Sequence, residues 1–316
     1  MAPLISILIN NYNYEQFVGE AIESSLTQTY GNIEILVIDD GSTDGSPAII
    51  KSYGSRVKAI FKGNGGQASA FNAGIAASRG DIICFLDSDD YFYPDKVATI
   101  AEIFARLDNS KPIMAHHMLR VARADAMAEV PELFGKVHCN PLNLAEMAHK
   151  YRYTYYQAGA TTGVSINRRM ANLLFPLPER GVRTSADEFI VRGASLVGEL
   201  HSTPKVLGVY RVHGENAWFC GNQRMSAEYI AILDNYLNQK LIENNLPGRI
   251  SYFDSMFCWW DLVRDRRAAN LLWRMIKLNA AQHDLHTLRF TFGMCQFWVG
   301  HVINRRSVAK RLAAAR

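Results

Sequence analysis

Residues 82–90 read Ile82-Ile83-Cys84-Phe85-Leu86-Asp87-Ser88-Asp89-Asp90, an unbroken apolar run that ends at once in three carboxylates. A short continuous apolar run closed by turn-forming acids predicts a strand buried on both faces, like the inner strands of a parallel sheet. Working outward, Leu4–Ile9, Ile33–Ile38 and Val57–Phe61 are runs of the same kind. Amphipathic stretches separate them. Asn13 is placed to cap a helix whose third residue is Gln16, with Phe17, Ala21, Ile22 and Ser25 on one face. Ser46-Pro47 opens a short helix that ends near Gly54, Ala68–Ser78 forms a third, and Pro94 opens a fourth with Val97, Ile100, Ala101, Phe104 and Leu107 on one side. Strands alternating with helices predict βαβ units, hence an α/β chain with a Rossmann-like, mostly parallel sheet flanked by helices.

Beyond Lys111 this alternation fades, and from about residue 225 the pattern is helical. The chain therefore divides into 1–112, a ligand-binding half, 113–224, a second half, and 225–316, a helical C-terminal appendage. The 316 residues are 48% hydrophobic and 20% charged, which excludes disordered and collagen-like classes. With 34 basic against 30 acidic residues the net charge is only +4, too balanced to imply nucleic acid as a partner. The basic excess sits at one end. No acidic side chain follows Asp284, whereas Arg289, Arg305, Arg306, Lys310, Arg311 and Arg316 do. On a helical wheel Leu288–Asn304 confines Arg289, Gly293, Gln296, Gly300 and Asn304 to a narrow stripe and leaves a wide apolar arc. Segment 285–316 is thus expected to bury that arc against a membrane surface, the protein body or a second copy of the chain. Five widely spaced cysteines without a Cys-x-x-Cys pair point to neither a disulfide framework nor a zinc site. No basic leader precedes Leu4 and no apolar run reaches about 18 residues, so the expected location is cytoplasmic, either free or peripheral at the inner face of the membrane.

In open α/β sheets ligands bind beyond the carboxyl ends of the strands. Here the second strand ends in Asp39-Asp40-Gly41-Ser42-Thr43-Asp44 and the fourth in Asp87-Ser88-Asp89-Asp90. Two acidic clusters converging on one edge repel each other unless a cation or hydrogen-bond donors compensate them. Ligation by oxygen alone favours Mn²⁺ or Mg²⁺ over zinc. Each Asp, taken singly, is also accounted for as a turn former or helix cap, the reading preferred for Asp44.

These residues resemble family 2 glycosyltransferases, enzymes of GT-A fold that use a nucleotide-activated sugar. The resemblance runs from Ile5 to about Lys96 and rests on four motifs in order: Ile7–Asn13, Val37–Asp44, Gly65–Gly74 and the D-x-D stretch Phe85–Asp90. It implies nucleotide contacts from Asn11, Tyr12, Asp39, Gly66, Gln67, Asn72, Asp87 and Ser88, with Asp39 accepting from the base, and a metal held by Asp89. Phe71 stands where many relatives carry Arg, which leaves a phosphate contact missing or supplied elsewhere. The resemblance makes 1–112 the nucleotide-sugar, or donor, half and 113–224 the acceptor-binding half with the catalytic base, where Arg183–Glu188 resembles the helix start that carries that base. Asp187 is the candidate and Glu188 its competitor, while both also read as favourable charges at a helix N-terminus. Tyr210–Asn216 resembles a loop over the donor, with Arg211 and His213 as candidate diphosphate contacts.

The implied activity is inverting, metal-assisted transfer of one sugar from a nucleotide diphosphate sugar to a hydroxyl of a glycan or lipid-linked glycan, in cell-surface polysaccharide synthesis. A UDP-sugar is preferred, with GDP- and dTDP-sugars as alternatives. Two other readings stay open here: a phosphatase of haloacid dehalogenase type, which also places Asp-x-Asp after an apolar strand, and a catalytically silent nucleotide-binding module.

Overall fold

The computed structural model describes residues 2–123, 128–138, 140–142, 144–145, 159–214, 216 and 227–251. The expected strands form β1 (Ile5–Asn11), β2 (Ile33–Asp39), β3 (Lys58–Phe61) and β4 (Ile82–Asp87), all parallel in the order β3-β2-β1-β4. Between them run α1 (Val18–Leu26), α2 (Ser46–Ser52) and α3 (Gln67–Ala77), and α4 (Lys96–Ala105) follows the two-residue β5 (Tyr91–Phe92). The second half contributes β6 (Ile113–Arg123), β7 (Ala128–Phe134), β8 (Val164–Asn167) and β9 (Glu199–Val212), with α5 (Arg168–Leu174) and α6 (Asp187–Val197) between β8 and β9. Strand β8 pairs antiparallel with both β4 and β6, and β6 runs parallel to β9, so one sheet passes through residue 112 without a break. The described part of the appendage is α7 (Ala227–Glu243) and the residues to 251.

Alternation along the strands sorts the core into two layers. Ile5, Ile7 and Ile9 face Val18 and Ile22 of α1 and Val97, Ile100 and Phe104 of α4. Leu8, Leu36, Ile83 and Phe85 face the opposite layer, built from α3, α5, α6 and α7. Phe71 belongs to that second layer, its ring edge-on to Phe85 with centroids 5.3 Å apart. Lys96 is fully buried in the first layer. Its Nζ lies 3.3 Å from Ser165 Oγ and 4.1 Å from the centre of the Phe92 ring, and burial lowers its pKa. Helix α7 docks on α6 through Phe189, whose ring meets Tyr229 and Tyr236 edge-on at 5.5 and 5.3 Å.

One local expectation fails. The first helix starts at Val18, not beside Asn13, which adopts a φ of 57° and turns its side-chain oxygen to the Thr43 N–H at 2.7 Å. A tertiary contact to the loop after β2 outcompetes the local cap. Asp44 serves its own turn, accepting from the Ser46 N–H at 3.0 Å, while Gly45 is the cap residue of α2. The stretch 285–316 and its basic residues lie outside the described residues, as do four of the five cysteines; Cys84 is buried. Among the described residues no helix is long and apolar enough to cross a membrane.

The two layers meet the site at Gly66, which leads into α3 with a φ of 89°. A Cβ there would lie 2.6 Å from the Cα of Arg183. Gly66→Ala is therefore expected to lower stability by about 1–3 kcal/mol, through a strained φ and displacement of the 182–183 segment. Urea unfolding checks this, and an unchanged midpoint would show that the close approach is not tight.

Candidate active site

The carboxyl ends of β1 and β4, the start of α3 and the start of α6 enclose a cavity of about 540 Å³. Asn11, Tyr12, Gly66, Gln67, Asp87, Ser88 and Asp89 line it from the first half, and Asp187 and Glu188 from the second. Tyr12 stands at the rim, 46% exposed. Asn10 Oδ1, Asn11 Oδ1 and Ser88 Oγ are buried here without a hydrogen-bond partner, and buried polar atoms left open at a cavity wall mark a place for a polar ligand.

The acids divide in a way the sequence did not anticipate. Asp39 and Asp40 are neutralised within their own loop. Asp39 accepts from Asn11 Nδ2 at 2.8 Å and from the Ser42 N–H at 3.2 Å, is buried, and is not among the residues that line the cavity. Asp40 takes Lys62 Nζ at 2.6 Å and the N–H groups of Gly65 and Gly66 at 3.0 and 2.7 Å, which folds the glycine turn over the end of β2. Compensation by donors, not by a cation, answers this first cluster.

Asp87, Asp89 and Asp90 are different. Each offers an oxygen within 4.8 Å of the others. Burial, reinforced by the charge of Asp89, pushes the Asp87 carboxyl up to about 7, and burial with both neighbours raises Asp90 well above the usual carboxylate range. The surrounding donors hold the cluster in place. Asn10 Nδ2 donates to Asp87 at 3.0 Å, Thr162 Oγ1 to Asp90 at 2.5 Å, and the Arg211 N–H to Asp90 at 2.8 Å. His213 Nε2 lies 3.0 Å from Asp89 Oδ2, its ring packed between Tyr14 and Phe17. Three close oxygens whose charges repel when ionised fit a hard divalent cation such as Mn²⁺ or Mg²⁺.

Across the cavity Asp187 opens α6. Burial first, then the charges of Glu188 and Asp87, push its carboxyl up to about 8. Service to the helix dipole alone would lower that value instead. Glu188 is engaged by Arg192 Nε at 2.5 Å, one turn along the helix.

Three of the expected residues are engaged away from the cavity wall. Asn72 lies off the cavity because its amide is spent tying α3 to the Leu177 N–H and carbonyl, at 2.7 and 2.9 Å, and to Glu179 at 2.9 Å. The Arg211 side chain also turns away, pairing with Glu20 at 2.6 Å over the Phe17 ring. Asp39 is the third. The sequence reading placed Asp90 in the acidic cluster without giving it a role, and missed Thr162 as its partner and the cations on the described wall, Lys136 and Arg183. Arg183 is held by Asn64 beside the glycine turn, and its adjacency to the Asp187 motif was the available signal.

The glycosyl transferase family 2 profile matches residues 6–116, which carry β1 to β4 and the acid cluster. An uncharacterised glycosyltransferase of Nostoc sp. is 30% identical over 256 residues, 78% of each chain. The chain belongs to glycosyltransferase family 2. A Rickettsia prowazekii glycosyltransferase, also uncharacterised, is 43% identical over 113 residues, 36% of each chain. Among solved structures, S. aureus TarS 1–349 in complex with UDP-GlcNAc superposes with a TM-score of 0.56 at 17% identity, covering 77% of this chain and 67% of that one. The architecture is thus the expected GT-A fold, and the haloacid dehalogenase and silent-module readings give way to a glycosyltransferase.

The raised carboxyls set a pH dependence for this glycosyltransferase. Their contribution to stability is fully present below the unfolded value near 4 and is lost as pH rises through 7 and then 8. In chelator the thermal midpoint should fall between pH 7 and 8.5. Added Mn²⁺ or Mg²⁺ should raise it more at pH 8.5 than at pH 6, and an equal effect at both values would mean that the acid cluster does not take the ion.

Proposed function

We propose that the chain is an inverting glycosyltransferase that moves a single sugar from a nucleotide diphosphate sugar to a hydroxyl of a glycan or lipid-linked glycan, in cell-surface polysaccharide synthesis. The observation that carries the reading is the placement of two unlike acidic groups on one cavity: Asp87 and Asp89 of the three-acid cluster, and the carboxyl of Asp187 at the start of α6. Displacement with inversion needs one carboxylate to take the acceptor proton and a separate site to stabilise the departing diphosphate.

Asp87 and Asp89, with Asp90 behind them, would hold Mn²⁺ or Mg²⁺, and His213 steadies Asp89. The bound ion would supply electrostatic stabilisation of the leaving diphosphate. Asn11, Tyr12, Gly66, Gln67 and Ser88 form the nucleotide wall. Tyr12, exposed at the rim, offers its ring to a base, and the open amide oxygens of Asn10 and Asn11 accept from ligand N–H or hydroxyl groups. Arg183 offers the phosphate contact that Phe71, buried in the core, does not. Asp187 holds the acceptor hydroxyl and takes its proton, and its raised pKa suits it to that exchange near neutrality. Glu188 is less suited because Arg192 already binds it. A UDP-sugar is the preferred donor class, the class named in the TarS complex, with GDP- and dTDP-sugars next.

The test separates the two acidic groups. Asp187→Asn is expected to cut transfer by about 10²–10⁴-fold and leave nucleotide affinity within twofold. Asp89→Asn should weaken Mn²⁺-dependent UDP binding at least tenfold in calorimetry. Full transfer by Asp187→Asn would remove the base assignment, and metal-independent binding in the native chain would remove the cation.

A further inference from the structure

The backbone just ahead of Asp187 is held more firmly than the helix requires. Ser185 is a non-glycine residue at a φ of 58°, a left-handed conformation that L-residues disfavour because Cβ crowds the backbone carbonyl. Its carbonyl accepts a 2.6 Å hydrogen bond from the hydroxyl of Tyr229, a buried residue of α7. The next N–H, that of Ala186, is one of the unpaired donors at the start of α6, and no side chain of the helix's own N-cap residue satisfies a donor there. Gln67, the first residue of α3, accepts it instead at 2.8 Å through Oε1.

Gln67 is also tied to both sides of the cavity. Its Nε2 lies 3.5 Å from Asp87 Oδ1, and its own N–H donates to the Arg183 carbonyl at 3.0 Å. One amide therefore spans the acid cluster and the peptide that precedes Asp187.

We propose that Gln67 and Tyr229 are positioning residues that fix Asp187 from two sides, Gln67 from the nucleotide wall and Tyr229 from α7. This rests on the assignment of Asp187 as the base. A conformation outside the favoured regions persists only where its surroundings over-determine it, and Ser185 is so determined from two elements distant in sequence. The purpose is distance. Proton transfer needs the base within hydrogen-bond reach of the acceptor hydroxyl, and a misplacement of about 1 Å can cost 10²-fold. Gln67 sets that distance relative to Asp87, while Tyr229 makes the docking of α7 a condition for it.

Hydrogen exchange is the first test because it needs no substrate. In Gln67→Met and in Tyr229→Phe, peptides covering 184–188 are expected to exchange at least tenfold faster while peptides covering β4 keep their native rates. Native rates at 184–188 in both variants would overturn the proposal. The second test is turnover of the donor and acceptor used for Asp187→Asn. Each variant should lose 10–100-fold in kcat, with the donor KM within twofold in Tyr229→Phe and raised in Gln67→Met, whose side chain also lines the nucleotide wall, and neither should lose anything further in kcat in an Asp187→Asn background. Losses that add to that of Asp187→Asn would show a merely structural role and overturn the proposal. Full transfer by Asp187→Asn itself would remove the base assignment, and the exchange rates would still decide whether the two residues hold the segment.

Discussion

The repulsion among Asp87, Asp89 and Asp90 is the constraint around which the rest is arranged. Three carboxylates packed where a buried strand ends would be costly with nothing to answer them. Their protein partners come from far along the chain: Thr162 ahead of β8, the Arg211 backbone at the end of β9, and His213 just beyond it. Those partners reach the acids only because β8 pairs with β4 and β9 returns past β5. The mixed second half of the sheet is therefore also the scaffold that keeps the acid cluster together, and the cavity is what remains between that cluster and α6.

The first half of the fold was legible because its strands are buried on both faces and leave continuous apolar runs, with helices of ordinary period between them. What local pattern could not decide was where a polar side chain points. Asn13 has every local reason to cap a helix, yet the loop after β2 claims it. Asp39 and Asp40 look from their spacing like partners of the later acids, but Asn11, Lys62 and the glycine-turn N–H groups lie closer. Arg211 sits in the expected loop and is drawn off by Glu20, a residue of α1 that no local window connects with it.

The site was legible to a similar depth. Family resemblance marked the stretches that converge on the cavity, and Asn11, Tyr12, Gly66, Gln67, Asp87, Ser88, Asp89, Asp187 and Glu188 all reach its wall. The division of labour within those stretches was not visible. Asp187 and Glu188 are adjacent and chemically alike, and only the helix turn that brings Arg192 beneath Glu188 tells them apart. Arg183 was likewise invisible as a cavity cation until the close approach of Gly66 put the two loops against each other.

Lys96 carries a consequence of another kind. Its amine is sealed between α4 and the sheet, against Phe92 and Ser165, with a lowered pKa. A lowered pKa makes an amine more nucleophilic at neutral pH, whereas burial denies it any electrophile. Reagents that acylate surface lysines within minutes must wait for this one until α4 lifts from the sheet. Lys96 is thus a built-in clock for the opening of the parallel half of the sheet, read from its own acylation by mass spectrometry without any substitution.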